Sequence, residues 1–385
     1  METADAVVIG GGIVGVSTAF FLAEAGVRDV LVLERSTVGA GASGRAAGMM
    51  LLQGDSEQRL RFQLESIRIH RRFRDELGTD LQEQGSLLLW CSAEAAARAR
   101  ALEPVHEGLG ISLEFLSPEE VHARFPYLSA DDIALGTFSG SDLWATPLAT
   151  VKRIAEAARA RGVRIREHCE VTGVEMADGR VQAVLAGRAA VHTPVIVNAA
   201  GGWARHVAEL VGVPLPITPR KRQVFVLDPT GTLAPGTPFI MEGEKDFYCK
   251  VRAEGLLMVQ GQTEGETYET AVEWGYLDDA LGSTVHRIPA LRQAPITGAW
   301  AGIRPISVDG APFLGPVPGL DGCFVAGGFG GQGFTQGPLA GRLIAEVITV
   351  GHASMDLSPY RVDRRASPRA EHRLPAASTH DEPPC

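Results

Sequence analysis

Apolar residues near the start of the chain fall into a block at 7–9, a cluster of glycines, a helix-compatible stretch at 13–25 and a second apolar block at 30–33 that ends on Glu34. Short aliphatic blocks bounded by glycine read as buried strands, and a longer apolar run between them as a helix. The pattern therefore predicts strand, tight turn, helix, strand. Helical spacing returns at 57–77, rich in arginine, and at 93–109, with a strand at 87–90 between them. A further helix is predicted at 147–161, with Thr146 as N-cap and Pro147 in the first turn. Short strands follow at 163–166, 170–176, 180–185 and 195–198, with Asp178-Gly179 as a hairpin turn. Residues 216–299 read as mixed strands and turns with a helix at 273–285, before a strand at 323–326 and a helix at 336–350. Polar, proline-bearing residues at 361–385 read as a flexible tail, and no internal repeat is visible.

At 385 residues, 45% hydrophobic and 21% charged, the chain is globular and large enough for one large or two closely packed domains. A net charge of −10 argues against nucleic acid or an anionic membrane as partner. The five cysteines are scattered without a C-x-x-C pair, so neither a disulfide framework nor a metal site is expected, and a reducing cytoplasm is the default. The most membrane-like run, 7–23, follows acidic Glu2 and Asp5 and is broken by glycines, so no integral membrane segment is expected.

Those glycines have a chemical reading. Gly10-Gly11-Gly12-Ile13-Val14-Gly15 is a G-x-G-x-x-G between strand and helix. Gly10 permits the turn, Gly12 admits a pyrophosphate to the backbone, and Gly15 lets the helix pack on the strand. The helix N-terminus offers N–H groups and positive partial charge to phosphates. Glu34 closes the second strand, where a carboxylate accepts hydrogen bonds from a ribose and repels a 2′-phosphate, so FAD or NAD fits and NADP does not.

Beyond this motif the chain resembles the D-amino-acid oxidase superfamily of flavoproteins, nearest to glycine oxidase and the related sarcosine, dimethylglycine and proline oxidases or dehydrogenases. Four segments carry the resemblance: the dinucleotide motif with Glu34-Arg35, the small-residue loop 39–49, the apolar run 195–201, and Trp300-Ala301-Gly302-Ile303-Arg304-Pro305 with the glycine turn 327–334. It implies that Gly10, Gly12, Ile13, Val14, Gly15, Glu34 and Arg35 hold FAD together with Ala42, Ser43, Arg45, Ala46, Ala47, Gly48 and Met49 of the loop. Val171 would give a backbone contact to adenine, and Ala200 and Gly201 would lie beside the dinucleotide. Gly328, Gly330, Gly331, Gln332, Gly333 and Phe334 would meet the flavin with backbone N–H groups. Arg304 matches the family's carboxylate-binding arginine and Tyr248 its pocket tyrosine, with Met50, Gln262 and Trp300 as further pocket candidates.

The fold so implied is α/β: a Rossmann-like FAD-binding domain from 1–85, 145–215 and 300–360, interleaved with a mixed-sheet α+β substrate domain from 86–144 and 216–299. The activity implied is oxidation of the C–N bond of a small amino acid or secondary amine, with hydride transfer to flavin N5 and an imine that hydrolyses. A 2-hydroxy-acid dehydrogenase and the flavin subunit of a multi-subunit electron-transfer dehydrogenase are the alternatives. The electron acceptor, O2 or a carrier, is left open, as is assembly as a homo-oligomer or with a partner subunit. Relatives with covalent flavin carry a cysteine where this chain has Ala301-Gly302-Ile303, so non-covalent FAD is expected. Some glycine oxidases carry a second arginine where this chain has Gly331, which leaves the substrate open.

Overall fold

The computed structural model describes residues 2–364 other than Asp55, Arg188, Thr230, Asp246 and Glu264. Most of the expected tail, from 365 onward, lies outside the described residues, whereas Arg364 is held by Asp309, to which its Nε and Nη2 donate at 2.7 and 2.8 Å.

The first apolar block forms β1 (Ala6–Ile9), wholly buried, followed by α1 (Ile13–Glu24), β2 (Val30–Leu33) and the amphipathic α2 (Glu57–Leu77). Next come β3 (Ser86–Trp90), β4 (Leu135–Ser139), α3 (Pro147–Ala160), β5 (Arg164–Arg166) and β6 (Ile196–Asn198). Then follow β7 (Ile217–Leu227), β8 (Phe239–Glu242), β9 (Phe247–Arg252) and β10 (Gly255–Gln262). The last elements are β11 (Ile296–Ser307), β12 (Phe313–Pro316), β13 (Cys323–Gly327) and α4 (Gly333–Val350).

One six-stranded sheet runs β5-β2-β1-β6-β13-β12, parallel except for β12. Strand alternation sends Ala6, Val8, Val30 and Val32 to one face, against the helices, and Val7, Ile9, Leu31 and Leu33 to the other, against the small sheet that contains Val171 and Val184. Burial on both faces explains why these strands read as unbroken apolar blocks rather than alternating ones. On the helical side α4 lies so close to α1 that a Cβ on Gly341 would stand 2.5 Å from the backbone nitrogen of Thr18.

The second sheet is eight-stranded, β11-β7-β10-β9-β8-β3-β4 followed by Glu114–Leu116, antiparallel except where β8 meets β3. It draws strands from both 86–139 and 217–307 and forms one wall of the cleft.

The Asp178-Gly179 turn is present, with positive φ at both residues, 50° and 74°, joining Val171–Ala177 to Arg180–Ala186. Other expectations shift. The helix expected at 93–109 is two helices, Ala93–Ala101 and Glu103–Gly108, broken before Pro104, which has no N–H to continue the first. Thr146 caps no backbone N–H and instead donates its hydroxyl to Asp80 at 2.6 Å. The helix expected at 273–285 forms as Leu277–Arg287 behind a short 3-10 turn. A helix at Pro118–Arg124, opened by a Ser117/Glu120 capping box, was not anticipated.

Candidate active site

At the carboxyl ends of β1, β2 and β6 the parallel sheet opens on a cleft of about 600 Å³. Gly10 turns the chain there with φ +113°, a conformation open in practice to glycine, and a Cβ on it would lie 2.6 Å from the carbonyl oxygen of Ala199. Gly12, the N-cap of α1, has no side chain to cap it, and the first turn holds no acidic residue, so the positive end of the helix faces the cleft. Ser43 Oγ accepts from the Ile13 N–H at 2.9 Å, tying the small-residue loop to this helix start. Glu34 is fixed by the Gly11 and Ser36 N–H groups, which donate to its two oxygens at 2.7 and 2.8 Å. A carboxylate accepts about four hydrogen bonds, so capacity for ribose hydroxyls remains. Arg35 stacks 3.5 Å from the centre of the Trp203 ring, and Trp203 leans on Tyr268 at 5.4 Å, closing this end.

The loop's far half is anchored from the facing sheet and helix. Arg45 Nη1 donates to the Ala301 carbonyl at 2.7 Å, and Trp300 Nε1 donates to the Arg45 carbonyl at 3.0 Å. Trp144 Nε1 donates to the Ala47 carbonyl at 3.1 Å, and Thr335 Oγ1 to the Met49 carbonyl at 3.2 Å. Above this floor Arg304, on β11, donates through Nη2 to the Tyr248 hydroxyl at 3.3 Å. Its guanidinium carbon lies 3.1 Å from where a Cβ of Gly331 would stand, so a larger residue just before α4 would press the guanidinium aside by a few tenths of an ångström. Arg222, on β7, reaches the same region and is 4% exposed. Burial, then the charge of Arg304, holds its guanidinium below the usual arginine range, at about 9. Val224, Phe239, Met241 and Phe247 supply apolar walls. The acidic residues lining the cleft, Glu34 and Glu170, stand together at its Gly10 end, where the Cys169 N–H donates to the Glu34 carbonyl at 2.8 Å.

The residues present fit an extended dinucleotide. Two helix N-termini open on the same cleft, that of α1, whose first N–H goes to Ser43, and that of α4, whose N-cap Gln332 caps no N–H, and the cleft is bordered by backbone and small side chains where a Cβ would intrude. Such a cleft can hold a pyrophosphate at one helix and a planar ring against the other, with the Arg304 fork set to grip a carboxylate beyond it.

Of the residues expected from sequence, Gly10, Gly12, Ile13, Val14, Glu34, Arg35, Ala42, Ser43, Arg45, Ala46, Ala47, Gly48 and Met49 line the cleft. So do Val171, Ala200, Gly201, Tyr248, Arg304, Gly330, Gly331, Gln332, Gly333 and Phe334. Gly15 and Gly328 do not line it. A Cβ on Gly15 would overlap the Gly10 carbonyl oxygen, and one on Gly328 would press within 3.1 Å of Ser307 Cβ. Met50 is buried beneath the loop and Trp300 holds the loop through Arg45, and neither lines the cleft; nor does Gln262, although it is the register partner of Arg222. Sequence reasoning missed Arg222, Trp203 and Tyr268. For Arg222 a signal existed: Arg220, Arg222, Val224 and Val226 alternate on one face, although three adjacent basic residues read as a solvated strand end.

The chain matches the FAD dependent oxidoreductase family (DAO) over residues 5–347. It is 28% identical to glycine oxidase of Geobacillus kaustophilus over 94% of this chain and 97% of that one. It is 26% identical to mitochondrial sarcosine dehydrogenase of Mus musculus over 94% of this chain, and spans only 41% of that longer protein. Among solved structures, that of L-proline dehydrogenase from P. horikoshii superposes with a TM-score of 0.90 at 26% identity, covering 96% of this chain and all of the other.

Proposed function

The chain belongs to the FAD dependent oxidoreductase family, and on that premise we propose that it oxidises the C–N bond of a small amino acid or secondary amine held at the Arg304 end of the cleft. FAD is the cofactor, and when bound it accepts the hydride released from the substrate carbon. The observation that carries the reading is Arg304 donating to Tyr248 between the apolar walls and the Gly331 turn.

Arg304 takes the substrate carboxylate through two parallel N–H donors, and the Tyr248 hydroxyl donates a further bond. This fixes the α-carbon, and orientation of this kind is worth roughly 7–11 kcal/mol of barrier in the best intramolecular cases. Among the described residues, no histidine or carboxylate lines this end of the cleft. An amine needs no such base in the oxidation step, because its neutral form already carries the lone pair that expels the hydride and leaves an imine. Water then hydrolyses the imine to a carbonyl acid and ammonia or an amine. A 2-hydroxy acid must also lose a hydroxyl proton, so the same surroundings favour the amine.

FAD is held without a covalent bond in this reading. Cys169, a cysteine that lines the cleft, lies beside Val171 at the nucleotide end. The similarity to glycine oxidase, sarcosine dehydrogenase and L-proline dehydrogenase supports glycine, sarcosine and L-proline as first substrates, with D-alanine tried beside them as a D-amino acid and O2 or an electron carrier as acceptor. Four unbridged cysteines among the described residues support a reducing compartment such as the cytoplasm. Among the described residues no helix is long and apolar enough to cross a membrane.

Anaerobic addition of those four compounds to the FAD-loaded protein tests the proposal. Bleaching of the flavin band by one of them is the expected result. A band that none of them bleaches, but that a 2-hydroxy acid does, would overturn it.

A further inference from the structure

We propose that Gln63 is a positioning residue for the flavin: it holds the Gln332 side-chain amide by its oxygen, so that the Gln332 NH2 group faces the cleft and donates to the edge of the ring that becomes negative on reduction. This rests on FAD lying with its ring against the glycine turn before α4, as the function proposed above requires.

The geometry comes from a buried polar stripe on α2. Gln63, Ser66 and His70 follow at helical spacing, are buried, and all reach the start of α4, at Gln332, Thr335 and Phe334 respectively. Gln63 is only 2% exposed, and its Nε2 donates to Gln332 Oε1 at 3.0 Å. The Gln63 Oε1 atom is buried beside Gly54, whose Cβ would stand 3.5 Å from it, and it has no hydrogen-bond partner. Reversing the pair would exchange this one idle oxygen for a buried NH2 with two idle donors, which costs more. The direction of the bond is thereby set, with the Gln332 oxygen toward α2.

What Gln332 has left is its NH2 group. Its backbone N–H is spent on the Phe329 carbonyl at 2.9 Å, and that of Gly330 on the Pro305 carbonyl at 2.8 Å. These two N–H groups, expected from sequence to meet the flavin, are thus used to fold the turn itself. The Gln332 side chain caps no N–H of its own helix, yet Gln332 lines the cleft between Gly331 and Gly333, which add no side chains. Hydride transfer brings two electrons and one proton to the ring, so the ring gains one negative charge. A donor already fixed toward that charge stabilises it without reorganising at the moment of reaction. Gln63 supplies the fixing, because an amide released from it could turn its oxygen to the same place.

The test measures the midpoint potential of the FAD-loaded parent, Gln63→Met, Gln332→Met and the double variant by equilibration with a reference dye. Gln332→Met is expected to lower the two-electron potential by about 30 mV or more, equivalent to a tenfold loss. Gln63→Met, similar in length but without a donor, should lower it by about 15 mV, roughly threefold. The double variant should match Gln332→Met alone, since Gln63 acts only through Gln332. A parent-like potential in Gln63→Met, or two shifts that add in full in the double variant, would overturn the role. Should Gln63→Met fail to hold FAD, Gln63→Asn decides, being one methylene short of the Gln332 oxygen: a lowered potential supports the proposal, and a parent-like one refutes it. No substrate enters these measurements, so a parent flavin that no amine bleaches would remove the amine-oxidising reading, while the potentials still decide the role of Gln63.

Discussion

His70 Nε2 donates to the carbonyl oxygen of Phe334 at 3.1 Å, the acceptor that Pro338, lacking an N–H, leaves without its helical donor. One turn away Ser66 completes the repair. Its hydroxyl donates to the Thr335 carbonyl at 2.6 Å and accepts from the Leu339 N–H at 3.3 Å, standing inside the opened hydrogen-bond ladder. α2 therefore stitches the first turn of α4, the helix whose preceding glycines carry the Arg304 end of the cleft.

His70 should make stability depend on pH. Burial holds its imidazole down to about 4 against an ordinary 6.5, so the folded chain keeps it neutral while the unfolded chain takes up a proton. The stabilisation is fully present above about 6.5 and is lost as pH falls toward about 4, by roughly 3 kcal/mol in all. Asp142, buried and pushed up to about 6, acts in the opposite sense over much of that range. The comparison with His70→Gln cancels it. Urea unfolding at pH 7.5 and pH 4.5 should show a larger loss in the parent than in the variant, and equal losses would refute the account.

Gly331→Ala should displace the Arg304 guanidinium, which lies 3.1 Å from the new methyl. A rise in KM of about tenfold or more, with flavin still bound, is expected from steady-state kinetics with the bleaching substrate. An unchanged KM would show that the guanidinium moves aside freely.

Arg304→Met should raise KM by orders of magnitude while the protein remains yellow, because the charge-assisted fork is lost but the nucleotide end is untouched. Tyr248→Phe removes one hydroxyl and should cost less, about 1 kcal/mol or several-fold in kcat/KM. An equal loss in the two variants would contradict this ranking.

Gly15→Ala should abolish flavin retention, since its methyl would overlap the Gly10 carbonyl and force α1 away from β1. Gly26→Ala, also at a glycine but with open space around its Cβ position, is the control for a change that strains only the local backbone (φ +93°). Flavin content after purification reads the difference, and a Gly15→Ala protein with full flavin would overturn the packing role.

Acid precipitation should leave the yellow colour in the supernatant, as expected of FAD held by hydrogen bonds and helix ends alone. Colour retained in the pellet would show a covalent link.

The Gly10–Glu34 end of this cleft was legible in the sequence because its parts are local. Gly10, Gly12 and Gly15 lie within one turn and one helix start, and Glu34 follows on the next strand, so residue type and spacing alone determine the geometry. Arg304 and the glycine turn were legible through their short motif, and the interrupted helix at Pro104 could have been read from the proline itself. The tertiary structure decided the rest. Arg222 faces the Arg304 end of the cleft only because β7 pairs with β11 in one register, and a shift of one residue would make it exchange faces with Lys221. His70 meets Phe334 across a separation of 264 residues, and Trp203 meets Arg35 and Tyr268 from three different stretches of chain. Contacts of this kind leave no periodicity or spacing behind them, because they depend on how separately formed elements dock, and that is settled by the burial of whole faces rather than by neighbours in sequence.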